Sequence, residues 1–154
     1  MIIGLTGPSG SGKSTFAKLF LGYDIIDCDK VYSALLEQNE DLQQELLEAY
    51  GTYDKKELRK KVYDDIEKLN KITWKYVVEE VNKRLTDNCI IEAIGLFESG
   101  LDKLCDKTIA VLSRKNHERI ISRDGLEQEE ATIRLEAQKG IEFYKNLADY
   151  IVEN

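Results

Sequence analysis

The sequence predicts an α/β protein in which a parallel β-sheet lies between two layers of helices. Short apolar runs alternate with longer helical segments, and the 154 residues contain one proline, Pro8, so that no later helix is interrupted by that route. Parallel strands need crossover helices that cover both faces of the sheet, which makes the strands almost wholly apolar. The length fits one domain with a core that needs no disulfide or metal.

The predicted strands are short apolar runs that end in turn or acidic residues. They are Met1–Leu5, Asp24–Asp27, Cys89–Ile91 with Glu92 at its end, Thr108–Leu112 and Tyr150–Val152. The predicted helices are Ser14–Leu21, most of 30–85 with a break at Gly51, 116–122 and 128–147. Within the long helical region, one apolar stripe at helical spacing predicts core packing; it consists of Trp74, Val77, Val78, Val81 and Leu85.

Composition excludes several classes of protein. The net charge of −7 argues against a broad nucleic-acid surface, which requires clustered positive charge. No apolar run approaches the roughly 18 residues of a membrane helix, and the start lacks the basic leader of a secretory signal. The three cysteines are far apart and form no C-x-x-C, so they are expected to be reduced core thiols. We therefore expect a cytoplasmic monomer whose partner is a small molecule.

The segment from Gly7 to Ser14 matches the phosphate-binding pattern G-x-x-x-x-G-K-[ST]. A strand precedes it and a helix follows, as that pattern requires. Its glycines allow backbone N–H groups to curl around phosphate oxygens, and the start of the helix favours the anion. Lys13 supplies a full charge to the outer phosphates, and the Ser14 hydroxyl can ligate Mg²⁺. The sequence therefore predicts a P-loop nucleotide site.

Two acidic positions follow other predicted strands at the ligand-binding edge of the sheet. Asp29 comes just after the second strand, where a carboxylate can accept the proton of an attacking hydroxyl. The alternative is that Asp29 only caps the next helix. Glu92 closes the third strand, where P-loop enzymes place an acid near the metal, and its alternative is an ordinary strand-end acid.

A basic patch follows the fourth strand and consists of Arg114, Lys115, Arg119 and Arg123. Arg119 and Arg123 are spaced i, i+4 and share one helix face, which favours a lid that closes on phosphates over scattered surface arginines. The only histidine, His117, is interpreted as a surface residue. The sequence contains no N-K-x-D, which argues against a GTPase.

The order of these segments resembles the dephospho-coenzyme A kinase family. The opening IIGLTGPSGSGKSTFAKLF is similar to that family's first strand, loop and helix, and DIIDCDKVY is similar to its Asp-x-Asp segment. Four more segments follow in the family's order: LFESGLDKLCDKTIAVL, ERIISRDGL, TIRLEAQKG and ADYIVEN. The resemblance extends over nearly the whole chain.

The resemblance implies a three-layer P-loop kinase with a core (1–29 and 88–154), a helical acceptor subdomain (about 30–87) and a lid (about 114–140). It implies ATP and Mg²⁺ as cofactors and phosphorylation of the ribose 3′-hydroxyl of dephospho-coenzyme A. Asp29 is then the base and Arg119 the phosphate-gripping arginine, with Lys13 also in the catalytic set. The implied nucleotide-binding residues are Ser9, Gly10, Ser11, Gly12, Lys13, Ser14, Thr15, Arg119, Arg123 and Asn154. The implied acceptor-binding residues are Asp29, Arg59 and Glu98, and the implied metal-binding residues are Ser14 and Glu92.

The acceptor half departs from the family pattern at several positions. Trp74-Lys75 stands where the family has His-Pro, and Ser33 replaces an arginine. Trp74 can fill core or pack against an adenine, and the basic run from Lys55 to Lys61 is either a solvated face or the source of a cation for the acceptor's phosphate. Two other functions stay open on the sequence: a kinase of another small nucleotide or metabolite, and a nucleotide-binding regulatory protein without turnover.

Overall fold

The computed structural model describes residues 1–62, 65–113 and 140–154. These residues form two compact units. The core unit comprises Met1–Ile25 and Thr86–Asn154, and the helical unit comprises Ile26–Leu85. No helix in the described part of the chain is both long enough and apolar enough to span a membrane.

The core unit is built on a five-stranded sheet with the order β2-β3-β1-β4-β5. β1 pairs in parallel with β3 and with β4, and β4 pairs in parallel with β5. The strands are β1 (Ile2–Thr6), β2 (Asp24–Asp27), β3 (Cys89–Glu92), β4 (Lys107–Leu112) and β5 (Tyr150–Glu153). Each lies within a residue or two of its predicted position. The predicted parallel sheet is confirmed.

Apolar side chains cover both faces of this sheet. On β4, Val111 belongs to one buried cluster, together with Leu5 and Ile90, whereas the next residue, Leu112, packs with Tyr144 in another. Successive side chains of a strand point to opposite faces, so these are the two sides of the sheet. The three-layer architecture follows from this alternation.

The first helix of the core unit is shorter than predicted. α1 covers Lys13–Ala17 and does not continue to Leu21. Leu19 and Leu21 are 71% and 89% exposed, so extending the helix gains no burial, and Gly22 turns the chain at φ +82°. A second helix of this unit, Ile141–Leu147, lies within the predicted 128–147, whose earlier part falls outside the described residues, as does 116–122.

The helical unit confirms the prediction of a mainly helical region. Its helices are α2 (Cys28–Gln38), α3 (Glu40–Tyr50), α4 (Lys55–Lys61) and α5 (Ile66–Arg84), and Ile141–Leu147 of the core unit is numbered α6. Each helix of the helical unit starts at an Asp or Asn whose side chain accepts from backbone N–H groups of the first turn: Asp27, Asn39, Asp54 and Asp65. Gly51 ends α3 in the left-handed conformation at φ +73°, which confirms the predicted break.

The buried face of α5 differs in part from the predicted stripe. Val77 and Val81 are buried as expected, and α5 packs against α2 and α3. Trp74 is only half-buried, and Leu85 lies beyond the end of the helix. The buried positions are spaced strictly by four: Leu69, Thr73, Val77 and Val81. Thr73 can occupy this face because its hydroxyl donates to the Leu69 carbonyl at 3.0 Å.

Candidate active site at the P-loop

The loop after β1 adopts a backbone that requires glycine. Gly7, Gly10 and Gly12 have φ values of +135°, +75° and +95°. A Cβ atom at Gly7 would lie 2.1 Å from the Val111 carbonyl oxygen, and real Cβ atoms do not approach backbone so closely. The loop therefore passes directly over the end of β4, and its path depends on the absence of a side chain at Gly7.

The loop holds a buried cation. The Lys13 side chain folds back, and its ammonium donates to the carbonyls of Gly7 at 2.9 Å and Pro8 at 3.0 Å. Lys13 is only 8% exposed, which is unusual for a lysine. A buried ammonium that donates to carbonyl groups places a positive charge at the loop. The site is therefore electrostatically suited to an anion.

The Ser11 hydroxyl provides a second indication of a ligand. Its Oγ is buried and has no hydrogen-bond partner among the described residues. A buried hydroxyl without a partner carries a free-energy cost that a native structure normally avoids. A phosphate oxygen at the loop would satisfy it. Ser9, two positions before Ser11 in the loop, is also buried, whereas Thr15 is exposed.

Ser14 and Glu92 lie together at the edge of the sheet. The Ser14 hydroxyl donates to Glu92 Oε1 at 2.6 Å. Strand register explains this contact, because Glu92 at the end of β3 is opposite Leu5, just before the loop. A hydroxyl beside a carboxylate is a hard oxygen pair of the kind that binds Mg²⁺ together with phosphate oxygens and water. The residues present therefore fit a magnesium ion.

Asn154 reaches the same loop from the other side. Its backbone N–H donates to the Leu112 carbonyl at 2.7 Å, which extends the β4–β5 pairing. Its side-chain amide donates to the Ser11 carbonyl at 3.3 Å. The structure therefore brings five of the predicted site residues together in the core unit: Ser11, Lys13, Ser14, Glu92 and Asn154. Glu98, further along the chain after β3, is exposed.

Asp29 is not the cap of its helix. Asp27 caps α2, because its Oδ1 accepts from the backbone N–H groups of Asp29 at 3.0 Å and Lys30 at 3.3 Å. The capping alternative for Asp29 is therefore wrong, and its carboxylate is available for another task. The Asp29 side chain is 78% exposed and forms an ion pair with Lys55 at 2.9 Å.

A cavity of about 470 Å³ lies within the helical unit, and Lys55, the ion-pair partner of Asp29, lines it. Ser33, Leu36, Tyr53 and Lys55 are among its lining residues. Near it, burial raises the pKa of Tyr32 to about 12, with Asp29 adding to the shift and Arg59 opposing it. Arg59 itself is exposed on α4. Sequence reasoning singled out the basic run of α4 but not Lys55 within it.

Arg119 and Arg123, with Arg114, Lys115 and His117, lie outside the described residues. The lid formed by the four basic residues stays a prediction, as does the surface position of His117.

Comparison with known proteins identifies the family. The model of the dephospho-CoA kinase family matches residues 1–154 of this chain. The chain belongs to the dephospho-CoA kinase family. Family membership implies ATP as the phosphoryl donor, in agreement with the P-loop.

Individual relatives agree with this assignment. The dephospho-CoA kinase of Fusobacterium nucleatum is 35% identical over 173 aligned residues, which cover 100% of this chain and 89% of that protein. A solved protein from Thermus thermophilus is similar with a TM-score of 0.79 and 29% identity, covering 100% of this chain and 88% of the other. The solved dephospho-CoA kinase of Campylobacter jejuni gives a TM-score of 0.63 and 25% identity, with 99% and 87% covered.

Proposed function

We propose that this protein transfers the γ-phosphoryl group of ATP to the ribose 3′-hydroxyl of dephospho-coenzyme A, giving coenzyme A and ADP. The observation that carries the proposal is the match to the dephospho-CoA kinase family along the whole chain. The geometry of the P-loop supports the donor half, because a buried lysine, a hydroxyl with no partner among residues 1–62, 65–113 and 140–154, and a hydroxyl–carboxylate pair converge there.

In the proposed reaction, the P-loop holds the phosphates of ATP. Lys13 leaves one or both of its carbonyl acceptors and pairs with the outer phosphates, while the Ser11 hydroxyl donates to a phosphate oxygen. Ser14 and Glu92 would hold Mg²⁺, with Glu92 acting directly or through water. When bound, the ion would offset negative charge on the β- and γ-phosphates.

Glu92→Gln tests the proposed metal site. Because it removes the charge of the carboxylate, it should raise the Mg²⁺ concentration for half-maximal activity about tenfold.

The transfer step needs a base and a cation. The 3′-oxygen bonds to the γ-phosphorus as the bond from that phosphorus to the bridging oxygen of ADP breaks, and the hydroxyl proton passes to the Asp29 carboxylate. Arg119, and with it Arg123, is assigned from the family pattern the role of neutralising charge on the phosphoryl group. Arg59 and Glu98 bind the acceptor, and we take the helical unit (about 30–87) as the acceptor subdomain. Arg59, rather than its lysine neighbours on α4, supplies the cation for the acceptor's phosphate.

The test is an acceptor panel with purified protein, ATP and Mg²⁺. ADP release is followed with dephospho-coenzyme A, AMP, adenosine and shikimate in separate reactions, and the product is compared chromatographically with coenzyme A. We expect dephospho-coenzyme A to be phosphorylated fastest and Lys13→Ala to abolish the reaction. Robust turnover of another acceptor, with dephospho-coenzyme A inert, would overturn the substrate assignment.

A further inference from the structure

Lys55 occupies a position where helix electrostatics do not favour a cation. It is the first residue of α4, and the start of a helix favours acidic side chains. The acidic residues there follow the rule, since Asp54 caps the helix and Glu57 lies in the first turn, whereas Lys56 is a second lysine at the helix start. A residue that breaks a local rule often serves a site elsewhere in the structure.

The Lys55 ammonium reaches one face of α2. It donates to Asp29 Oδ1 at 2.9 Å and to Ser33 Oγ at 2.8 Å, and it lies 5.6 Å from the centre of the Tyr32 ring. Asp29, Tyr32 and Ser33 are spaced i, i+3 and i+4, which places them together on the helix surface. The Ser33 hydroxyl also donates to the Asp29 carbonyl at 3.0 Å, so it links the lysine to the backbone of the aspartate.

The two members of the ion pair differ in exposure. The Lys55 side chain is 30% exposed, whereas that of Asp29 is 78% exposed. The cation is therefore sheltered and held by several partners, while the carboxylate stays open to an incoming molecule. An exposed aspartate without such a partner would sample several rotamers, and catalysis loses rate when a reacting group must first be oriented.

We propose that Lys55 is a positioning residue that orients the Asp29 carboxylate toward the acceptor hydroxyl. The inference rests on the proposed function, in which Asp29 takes the hydroxyl proton. An exposed ion pair contributes little to folding stability, so a positioning role predicts that loss of Lys55 affects turnover far more than stability. Lys55 also lines the cavity of the helical unit, as Ser33 does, so the lysine faces the space next to Asp29.

The experiment compares Lys55→Met with Lys56→Met, which removes the same charge from the neighbouring exposed position of α4. With dephospho-coenzyme A as acceptor, we expect Lys55→Met to lower kcat about tenfold, with the KM for ATP unchanged and Tm within about 2 °C of the wild type. Lys55→Arg should restore most of kcat, since it keeps the cation. Lys56→Met should behave as the wild type.

A double-mutant cycle with Asp29→Asn tests whether Lys55 acts through Asp29. If it does, adding Lys55→Met to Asp29→Asn should lower kcat less than twofold further. A full tenfold loss in that background would overturn the proposal, because Lys55 would then act independently of Asp29. Equal activity of Lys55→Met and Lys56→Met would overturn it as well. Failure of the proposed function gives a different result, since the wild type itself would then not phosphorylate dephospho-coenzyme A.

Discussion

At the scale of single residues, the site depends on groups whose surroundings are unusual for their type. Lys13 is buried, Ser11 Oγ has no hydrogen-bond partner within the described part of the chain, and Gly7 lies where no side chain fits. Burial of the Lys13 ammonium and of the Ser11 hydroxyl costs free energy in the protein alone. A phosphate bound at the loop would offset that cost.

Gly7→Ala tests the close approach of the loop to β4. We expect it to lose at least about 3 kcal/mol in the free energy of unfolding, together with ATP binding, because the new methyl group would overlap the Val111 carbonyl. Gly22→Ala is the matched control: Gly22 also has positive φ, at +82°, but an added Cβ there meets nothing within 4 Å. That control should lose only about 1 kcal/mol. Equal losses in denaturant titrations would contradict the clash.

Asp29→Asn tests the proposed base. It keeps the shape of the side chain but removes its capacity to accept a proton, so kcat should fall about 100-fold while the Kd for ATP stays constant. Asp27→Ala separates capping from catalysis, because removal of the α2 cap should cost about 1 kcal/mol of stability. Asp41→Asn, on the exposed start of α3, should change neither kcat nor the stability of the fold. A kcat near the wild-type value in Asp29→Asn would show that another group takes the proton.

At the scale of elements, polar contacts complement apolar packing in joining the helices of the helical unit. Glu45 on α3 accepts from Lys75 at 2.7 Å and from the Tyr76 hydroxyl, both on α5. The hydrogen bond from Lys75, and to a lesser degree that from Tyr76, lowers the pKa of Glu45 below its usual value, and the contact with Glu45 raises the pKa of Tyr76 to about 12. The cluster therefore stabilises the α3–α5 contact while Glu45 is ionised.

Glu45→Gln tests that contact. The lowered pKa means that the stabilisation is fully present above the unfolded pKa of about 4.3 and is lost as the pH falls through the folded value. Because the pair is partly exposed and screened, we expect a loss of at most about 1 kcal/mol near pH 7 that is smaller at pH 3. Thermal unfolding at both pH values measures this. Glu48→Gln, on the same helix, should show no such pH dependence; a loss of equal size at pH 3 would rule out an ionic contribution.

At the scale of the whole molecule, nucleotide binding should be coupled to the stability of the fold. The P-loop connects β1 to α1, Glu92 of β3 contacts Ser14, and Asn154 just after β5 contacts Ser11, so ATP bound at the loop would bridge several elements of the core unit. A ligand that binds only the folded state stabilises that state according to its concentration. Unfolding measured with ATP therefore reports on the entire site.

Thermal unfolding with and without ATP tests this coupling. At about 100 times its Kd, ATP with Mg²⁺ should stabilise the wild type by about 2.7 kcal/mol, which corresponds to a Tm increase of roughly 5 °C. Lys13→Ala should abolish the increase. Lys18→Ala, an exposed lysine at the end of α1, should retain it. A full increase in Lys13→Ala would show that ATP does not bind through the P-loop lysine.

The phosphate loop and the sheet could be predicted from the sequence because their determinants are local. Glycine spacing sets the backbone of the loop, and apolar runs between turn residues mark the strands. The length of α1 could not be predicted, because it depends on whether Leu19 and Leu21 find a surface to pack against, and they do not. The same limitation applies to α5, whose buried face includes Thr73 rather than Trp74.

The sequence by itself determined that this chain has a P-loop within an α/β fold and which family it resembles. Only the tertiary structure decided that Glu92 contacts Ser14, 78 positions away, and that Asn154 contacts Ser11, 143 positions away. Only the structure showed that Asp27, and not Asp29, caps the helix. It also showed that Lys55 is the lysine in its run that pairs with Asp29. The physical reason is that strand register and helix packing set contacts between distant residues, whereas composition and local propensity do not contain that information.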